Sequence, residues 1–348
     1  MNKMYYLLIF IPMSILIHFM QIGGPSIQFL ITALAIVPLA ALLGAATEEL
    51  SKYTGAKLGG FLSATFGNVT ELILSFFALK EGLFDIVKAS IAGSMIGNVL
   101  LVLGLSMFMG GLKNKTQKFA KEGVNVSVSL LTLAVISLVI PAVCTGNFST
   151  ADLNPVNYEN LSVVIAIVML IVYSCSLYFA FFTHKDLYGV DHEVSKKKWK
   201  QSTAIAILLI ATAFVAIESE LLVGNIEPMT EQLHLSKLFV GLIIIPIIGN
   251  AAEHATAVTM AIKNKMDIAI EIAIGSSLQI ILFIAPILVL VSLLFKPMAL
   301  IFNTYEIVAL GVTVIIANKV CNDGESNWLE GLQLVSVYII LAATFFVV

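Results

Sequence analysis

The sequence predicts an all-α polytopic membrane protein with eleven transmembrane helices, built from two inverted five-helix repeats and an extra N-terminal helix. Three observations support this fold class: the composition, the regular succession of apolar stretches, and a repeated motif. Of the 348 residues, 59% are hydrophobic and 12% are charged, and the mean hydropathy is +0.99. Water-soluble globular proteins do not reach these values. We therefore expect lipid to surround most of the chain.

Apolar stretches long enough to cross a bilayer, roughly 17–25 residues each, recur from one end of the sequence to the other. Gly, Pro, Asn and Lys residues separate them. The predicted helices are 4–22, 28–50, 58–79, 85–109, 122–141, 160–182, 200–222, 236–262, 268–292, 300–317 and 327–347. No stretch remains for a separate soluble domain, so we predict a single transmembrane domain over 1–348.

The distribution of lysine predicts the orientation. The connection 113–121 and the segment 183–200 are lysine-rich, whereas 145–160 between them contains no lysine. Because cytoplasmic loops carry an excess of positive charge, we predict a cytoplasmic N-terminus and an external C-terminus. The net charge of −3 and the absence of a basic patch give no indication of a nucleic-acid partner.

Two motifs recur at one common spacing. Gly-Asn-x-x-Glu at 67–71 returns at 249–253, and Gly-Ser at 93–94 returns at 275–276, in both cases 182 residues later. A shared offset indicates an internal repeat. The two Glu motifs lie five predicted helices apart, so they cross the membrane in opposite directions and the repeats are inverted.

The repeat defines the organisation of the chain. Predicted helices 2–6 and 7–11 form the two halves. The boundaries are 1–27 for the additional N-terminal helix, 28–182 for the first repeat, 183–200 for a cytoplasmic Lys-rich linker and 201–348 for the second repeat. Inverted repeats with glycine-interrupted helices are typical of transporters whose site lies near the middle of the membrane.

Glu71 and Glu253 lie well inside their predicted helices, where an ionised carboxylate costs at least a few kcal/mol. Each therefore needs a partner, a cavity or a cation. Asn68 and Asn250 precede them by three residues, which puts amide and carboxylate on one helical face. That face offers oxygen ligands only.

Gly67 and Gly249 allow each helix to open beside its asparagine, and freed carbonyls can coordinate a cation. Carboxylates, amides and carbonyls suit a hard ion that takes six to eight oxygens, namely Ca²⁺ and not Zn²⁺. Protons and Ca²⁺ would compete for the same two carboxylates, so the pair could exchange one Ca²⁺ for about two protons by alternating access. We expect no cofactor, because Ca²⁺ and H⁺ are the transported substrates.

Other polar residues lie in apolar stretches near these motifs. Ser94, Asn98, Ser276, Ser277 and Gln279 would border the site or the substrate path. Small polar residues also mediate close packing between membrane helices, and both interpretations stay open.

Two further acidic residues have similar settings in the two halves. Glu48 and Glu218 lie near the ends of the predicted second and seventh helices, where they could attract Ca²⁺ to the two mouths or relay protons as accessory acids. Interfacial solvation is the alternative. Glu306 has no counterpart in the other repeat, and the sequence assigns it no role.

At these residues the sequence resembles the Ca²⁺/H⁺ exchanger (CAX) family of the cation/Ca²⁺ exchanger superfamily. Four motifs carry the resemblance, namely 67–71, 249–254, 275–279 and Asp-Gly-Glu-Ser-Asn-Trp-Leu-Glu-Gly at 323–331. It implies eleven helices, Ca²⁺ export against proton entry, and a homotrimer. It also implies that Glu71 and Glu253 are shared carriers, with Glu48 and Glu218 as accessory acids. The short 183–200 linker differs from the long acidic linker of related exchangers, and the chain looks like a bacterial plasma-membrane member.

Three alternatives compete with this interpretation. A Na⁺/Ca²⁺ exchanger or an exchanger of another divalent cation such as Mn²⁺ would share the repeats. A passive cation channel would use the same acidic lining, but inverted repeats around one central site disfavour it. An intramembrane enzyme is disfavoured, because no His or Cys has catalytic spacing.

Overall fold

A computed structural model describes residues 3–146, 155–184, 187 and 197–347. Eight helices in this part of the chain are long and apolar enough to cross a membrane, judged by length and composition, and Tyr6–Met20 is a shorter apolar helix. The predicted fold class of an all-α polytopic membrane protein is confirmed. Residues 185, 186 and 188–196, which make up most of the predicted linker, lie outside the described residues.

The helices of the N-terminal half follow a 3₁₀ turn at Lys3–Ile9. They are α1 (Phe10–Met20), α2 (Pro25–Phe66), α3 (Val69–Lys80), α4 (Phe84–Ile96), α5 (Leu103–Asn114), α6 (Lys121–Gly146) and α7 (Pro155–Tyr178). Those of the C-terminal half are α8 (Gln201–Gly224), α9 (Ile226–Leu233), α10 (Lys237–Phe239), α11 (Ile245–Ile262), α12 (Met266–Ile270), α13 (Ser276–Gln279), α14 (Ala285–Ser292), α15 (Thr304–Val320) and α16 (Trp328–Val347).

Widened π-helical segments join several of these helices into continuous membrane crossings. The segments are Gly97–Val102, Phe179–Thr183, Val240–Ile244, Glu271–Gly275 and Ile280–Ile284. The resulting crossings Phe84–Asn114, Lys237–Ile262 and Met266–Ser292 coincide with the predicted fourth, eighth and ninth helices. π-helical turns interrupt regular packing and are frequent at functional sites.

The predicted break between the second and third helices, at 51–57, is placed differently in the structure. Helical backbone continues through this stretch to Phe66, and the interruption comes at Gly67 and Asn68. The helix nevertheless bends back on itself. The bend is apparent at Gly59, where a Cβ atom would lie 2.7 Å from the carbonyl oxygen of Ser51. Eight residues of straight helix would separate these positions by about 12 Å. The chain therefore turns where predicted, but within helical backbone that no proline interrupts.

Three other features differ from the prediction. The predicted opening of the helix at Gly249 is wrong, because α11 is continuous α-helix from Ile245 to Ile262 and Asn250 Nδ2 donates to the carbonyl oxygen of Pro246 within it. The short helix α9 was not predicted, because its eight residues include three that are charged or amide-bearing and carry no membrane-length apolar run. Helix α15 begins at Thr304 and not at 300, because the side chain of Asn303 caps its first turn.

Helices α2 and α8, which open the two predicted repeats, pack along each other in opposite directions. At one end, the Ser26 hydroxyl donates a hydrogen bond of 2.8 Å to the side chain of Gln232 in α9, the short helix that follows α8. At the other end, the Tyr53 hydroxyl donates to the carbonyl oxygen of Trp199, just before α8. The first crossings of the two halves are thus antiparallel, as inverted repeats require.

A short antiparallel sheet ties two connections together. Strand β1 (Thr116–Lys118) pairs with β2 (Glu325–Asn327), and Gln117 is opposite Ser326. The pairing brings the connection before α6 against the connection before α16. With a cytoplasmic N-terminus and eleven helices, the prediction places both connections on the cytoplasmic side of the membrane. Their pairing is consistent with that prediction.

Candidate cation-binding site

Glu71 lies in the first turn of α3, directly after the break at Gly67 and Asn68. Its side chain is buried, with 6% exposure, and it lies against Gly249 of α11. A Cβ atom on Gly249 would come within 2.8 Å of Glu71 Oε1. The missing side chain of Gly249 therefore makes the space that the Glu71 carboxylate occupies.

Glu253 has the reciprocal arrangement. It lies one turn after Gly249 on α11, and its Oε1 atom would be 3.9 Å from a Cβ atom on Gly67. The residue is partly exposed as a whole, but its Oε2 atom is buried. Each glutamate therefore lies beside the glycine of the opposite repeat, and the two carboxylates interact electrostatically.

The asparagines and serines of the repeated motifs also pair across the repeats. The Ser276 hydroxyl donates a hydrogen bond of 2.8 Å to Asn68 Oδ1. In the equivalent contact, Asn250 Nδ2 is 3.4 Å from Ser94 Oγ. All four residues are buried. The 182-residue offset found in the sequence thus relates contacts in space as well as motifs along the chain.

Asn98 and Gln279 break this symmetry, because both lie on the Asn68 side. Asn68 Nδ2 donates to Gln279 Oε1 at 2.8 Å, and Asn98 Nδ2 donates to Ser276 Oγ at 3.0 Å. The positions related to them by the repeat are Ile280 and Gly97, which have no polar side chain. One side of the site therefore has a denser hydrogen-bond network than the other.

Three side-chain oxygens at this centre are buried without a hydrogen-bond partner. They are Glu71 Oε1, Asn250 Oδ1 and Glu253 Oε2. Buried acceptors are normally paired, so such a group calls for an explanation. Oxygens from both repeats that face a common centre are a suitable ligand set for a hard cation or, on the carboxylates, for protons.

Ser277 follows Ser276 in the chain, but its hydroxyl group forms its hydrogen bond within its own membrane crossing. It donates to the carbonyl oxygen of Ala273 in its own crossing, at 2.8 Å. Such a bond within one helix is typical of a serine in apolar surroundings. The structure therefore provides no direct link between Ser277 and either glutamate.

The two predicted accessory acids have different environments. The Glu48 side chain is 71% exposed and forms an ion pair with Lys52 at 3.1 Å. Glu218 is fully buried and accepts a hydrogen bond from Ser14 of α1. The sequence did not single out Ser14, although it is one of the few polar residues in the first apolar stretch.

The structure gives Glu306 a local role that the sequence did not assign. Its backbone N–H donates to Asn303 Oδ1 at 2.9 Å, and its carboxylate accepts from the Asn303 N–H at 2.8 Å. This reciprocal pair is a capping box, which satisfies free N–H groups at the start of a helix. The spacing of Asn and Glu three residues apart was the available signal.

Comparison with known proteins assigns the chain to a family. A family model described as "Sodium/calcium exchanger protein" matches residues 25–182 and 203–347. The chain belongs to the sodium/calcium exchanger protein family. The two segments matched by this family model lie on either side of the predicted linker.

Relatives within this exchanger family cover nearly the whole chain. A protein of Aphanothece halophytica named Ca(2+)/H(+) antiporter is 47% identical, over 98% of this chain and 95% of its own length. The Ca(2+)/H(+) antiporter ChaA of Bacillus subtilis is 44% identical over 99% of both chains. A vacuolar calcium ion transporter of Schizosaccharomyces pombe is 39% identical over 98% of this chain and 84% of its own.

Solved structures of exchangers have the same fold. The structure of YfkE is 42% identical, with a TM-score of 0.86 over 99% of this chain and 100% of that chain. An H+/Ca2+ exchanger called CAX has a TM-score of 0.76 over 99% of this chain and 91% of that chain, at 15% identity. At that identity the second match shows the fold alone.

Proposed function

We propose that this protein is a secondary active antiporter that exports cytosolic Ca²⁺ in exchange for H⁺. The observation that carries the proposal is the reciprocal placement of Glu71 and Glu253, each beside the glycine of the other repeat. The names of the full-length relatives support the choice of ions. The proposal needs no cofactor, because both ions are substrates.

In this proposal the cation and the protons share one site. Glu71 and Glu253 supply carboxylate oxygens and Asn68 and Asn250 supply amide oxygens, with water or backbone carbonyls completing the six to eight ligands that Ca²⁺ takes. Two ionised carboxylates cannot lie together in a membrane without compensation. The site therefore carries either Ca²⁺ or protons when it changes its exposure from one side to the other.

The remaining polar residues would shape the site. Gly249 supplies the space for the Glu71 carboxylate, and Gly67 lies beside Glu253, where a Cβ atom would make an ordinary contact of 3.9 Å. Ser94, Ser276 and Gln279 hold the two asparagines by hydrogen bonds, and Asn98 donates to Ser276. Such bonds fix the direction in which the amide oxygens point and so prepare the site for the ion.

Ser277, Glu48 and Glu218 are proposed to have accessory roles. Ser277 borders the substrate path next to Ser276, and the exposed Glu48 raises the local concentration of cations at the cytoplasmic mouth. Glu218 acts in proton handling away from the central pair. The test is to measure transport after Ser277→Ala, Glu48→Gln and Glu218→Gln, each made separately.

We also propose that the protein lies in a bacterial plasma membrane as a homotrimer. The lysine distribution supports a cytoplasmic N-terminus and an external C-terminus. A single cysteine added at either end of a variant without native cysteines reports this orientation. In intact cells, a membrane-impermeant maleimide should label the C-terminal cysteine and not the N-terminal one, and the opposite pattern would reject the orientation.

The decisive experiment measures Ca²⁺-dependent proton flux in proteoliposomes without Na⁺. A pH gradient should drive Ca²⁺ movement, and a Ca²⁺ gradient should drive proton movement in the opposite direction. The double variant Glu71→Gln, Glu253→Gln should abolish both fluxes, whereas Glu220→Gln, a matched change of an exposed glutamate, should retain them. Ca²⁺ movement that requires Na⁺, or that ignores the pH gradient, would reject proton exchange. Substituting Mn²⁺ for Ca²⁺ tests the ion preference.

A further inference from the structure

Ser14 and Glu218 meet at the contact between the extra N-terminal helix and the rest of the protein. Ser14 lies on α1 and Glu218 on α8, and both are buried, with 3% and 0% exposure. The Ser14 hydroxyl is 2.7 Å from Glu218 Oε1 and 2.7 Å from the carbonyl oxygen of Ile11. A hydroxyl has one proton to donate, so the bond to Glu218 competes with the bond to Ile11.

The surroundings of this contact are apolar. Ile11 of α1, Leu39 and Leu43 of α2 and Val215 of α8 belong to one buried cluster where the three helices meet. Glu218 Oε2 is buried and has no hydrogen-bond partner. The carboxyl group therefore has one neutral donor and one unpaired oxygen, within a helix that crosses the membrane.

No described charge compensates Glu218. Among the side chains that the structure describes, the titratable ones on the elements packed against α8 are His18 on α1, Glu48, Glu49, Lys52 and Tyr53 on α2, Glu71 and Lys80 on α3, and Glu227 and Glu231 on α9. Among the interactions of the described residues, Ser14 is the one polar side chain that acts on Glu218, while Glu71 interacts with Glu253. Lys80, the cation on α3, forms an ion pair with Glu220 instead.

An ionised carboxylate in this position would be a buried charge with a single neutral hydrogen bond, which is costly inside a membrane. The neutral acid avoids that cost and keeps the bond from Ser14. The oxygens here are too few for Ca²⁺, which takes six to eight. We propose that Glu218 is a proton-binding site, separate from the exchange site, whose bound proton holds the N-terminal helix α1 against α8.

The proposal has a direct consequence for α1. Loss of the proton at alkaline pH places an uncompensated charge between α1 and α8, and separation of the helices admits water to that charge. The packing of α1 should therefore loosen as pH rises. Because α1 has no counterpart in the repeats, this pH response is independent of the proton exchange proposed above.

Infrared titration of the full chain tests proton binding directly. The background is Glu71→Gln, Glu253→Gln, in which both exchange carboxylates are replaced by neutral amides. Exposed carboxyl groups lose their C=O bands near their ordinary pKa of about 4, so the band of a buried neutral acid should remain above that range and disappear only at higher pH. This late-disappearing band should be smaller after Glu218→Gln than after Glu220→Gln. Because the background lacks the exchange carboxylates, failure here leaves the antiport proposal intact. A band unaffected by Glu218→Gln would overturn the inference.

Ser14→Ala provides a second, independent check in the same background. It removes the hydrogen bond that stabilises the carboxylate more than the acid, so the midpoint of band loss should move to higher pH, by about one pH unit or more. An unchanged midpoint would show that Ser14 does not act on the protonated group and would overturn the proposed contact.

Labelling of α1 tests the consequence for packing. In a variant with Cys144, Cys175 and Cys321 replaced by serine, Ile11→Cys places a thiol in the apolar cluster. Its labelling by a membrane-permeant maleimide should rise with pH more steeply when Glu218 is present than after Glu218→Gln, which stays neutral at every pH. The comparison at each pH cancels the change in thiol reactivity. Equal pH dependence in the two proteins would overturn the role of the proton in holding α1.

Discussion

The carboxylate of Glu71 leaves no room for a methyl group on Gly249, since the two would be 2.8 Å apart. Gly249→Ala should therefore displace Glu71 and weaken Ca²⁺ binding by about tenfold or more, equivalent to 1.4 kcal/mol. Gly44→Ala is the matched control, because its Cβ atom would meet nothing within 4 Å. Calcium titration by isothermal calorimetry measures both. Unchanged affinity in Gly249→Ala would show that the contact does not position the carboxylate.

Ser276 and Ser94 occupy related positions but have unequal contacts. Ser276 bonds both Asn68 and Asn98, at 2.8 and 3.0 Å, whereas Ser94 has one contact of 3.4 Å with Asn250. Ser276→Ala removes the donor to Asn68 Oδ1 and the acceptor of Asn98 Nδ2, at about 1–3 kcal/mol for each buried atom left unsatisfied. We expect a larger loss of Ca²⁺ affinity from Ser276→Ala than from Ser94→Ala. Equal losses would contradict the observed asymmetry.

The sequence identified most of the central residues because a buried charge and a repeated motif are visible without coordinates. Glu71 and Glu253 were predicted from the cost of an ionised carboxylate inside a membrane. Asn68 and Asn250 were predicted from their position three residues before these glutamates. Their crosswise contact with the opposite glycines was not predicted, because it depends on how two distant crossings approach each other. The hydrogen bond between Ser14 and Glu218 was not predicted for the same reason, because the two residues are 204 positions apart in the sequence.

Among the helices, α15 depends on its first turn. Asn303 and Glu306 form the capping box that satisfies its free N–H groups. Glu306→Gln should weaken the reciprocal bond and lower the free energy of unfolding by about 1 kcal/mol, with Ca²⁺ affinity unchanged. Denaturation in detergent and calcium titration measure the two effects, with the exposed Glu81→Gln as control. A selective loss of Ca²⁺ affinity would instead give Glu306 a role in transport.

The bent helix α2 shows why element boundaries could be only partly predicted. A change of direction near 51–57 followed from the lysines and the length of apolar sequence. Helical backbone around the bend did not, because no proline or unfavourable run forbids it there. The break at Gly67 and Asn68 agrees with the motif, since glycine and asparagine both favour helix ends. The same motif at Gly249 and Asn250 produces no break, so the motif alone does not decide where a helix opens.

For the molecule as a whole, Ca²⁺ binding should stabilise the fold. A ligand at about 100 times its Kd adds about 2.7 kcal/mol to the free energy of unfolding. In the proposed mechanism protons compete for the same carboxylates, so the stabilisation by a fixed Ca²⁺ concentration should decrease as pH falls, with affinity lost by about tenfold per pH unit for each proton displaced.

Thermal unfolding with and without Ca²⁺, repeated across a pH series, measures this linkage. The double variant Glu71→Gln, Glu253→Gln should show no stabilisation by Ca²⁺ at any pH, and Glu220→Gln should behave like the original protein. A stabilisation that is independent of pH would mean that protons do not compete with Ca²⁺, and that the two ions use different sites.

Asn98 and Gln279 lie on one side of the central pair only, and their repeat-related positions are Ile280 and Gly97. If the halves were identical, the inward- and outward-open forms of the proposed cycle would be related by a two-fold rotation and would release an ion equally fast. With two extra amides on one side, we expect the two forms to hold the ion unequally. Gradients still fix where exchange stops, but the same protein can turn over faster in one direction than in the other, and so act as a rectifier.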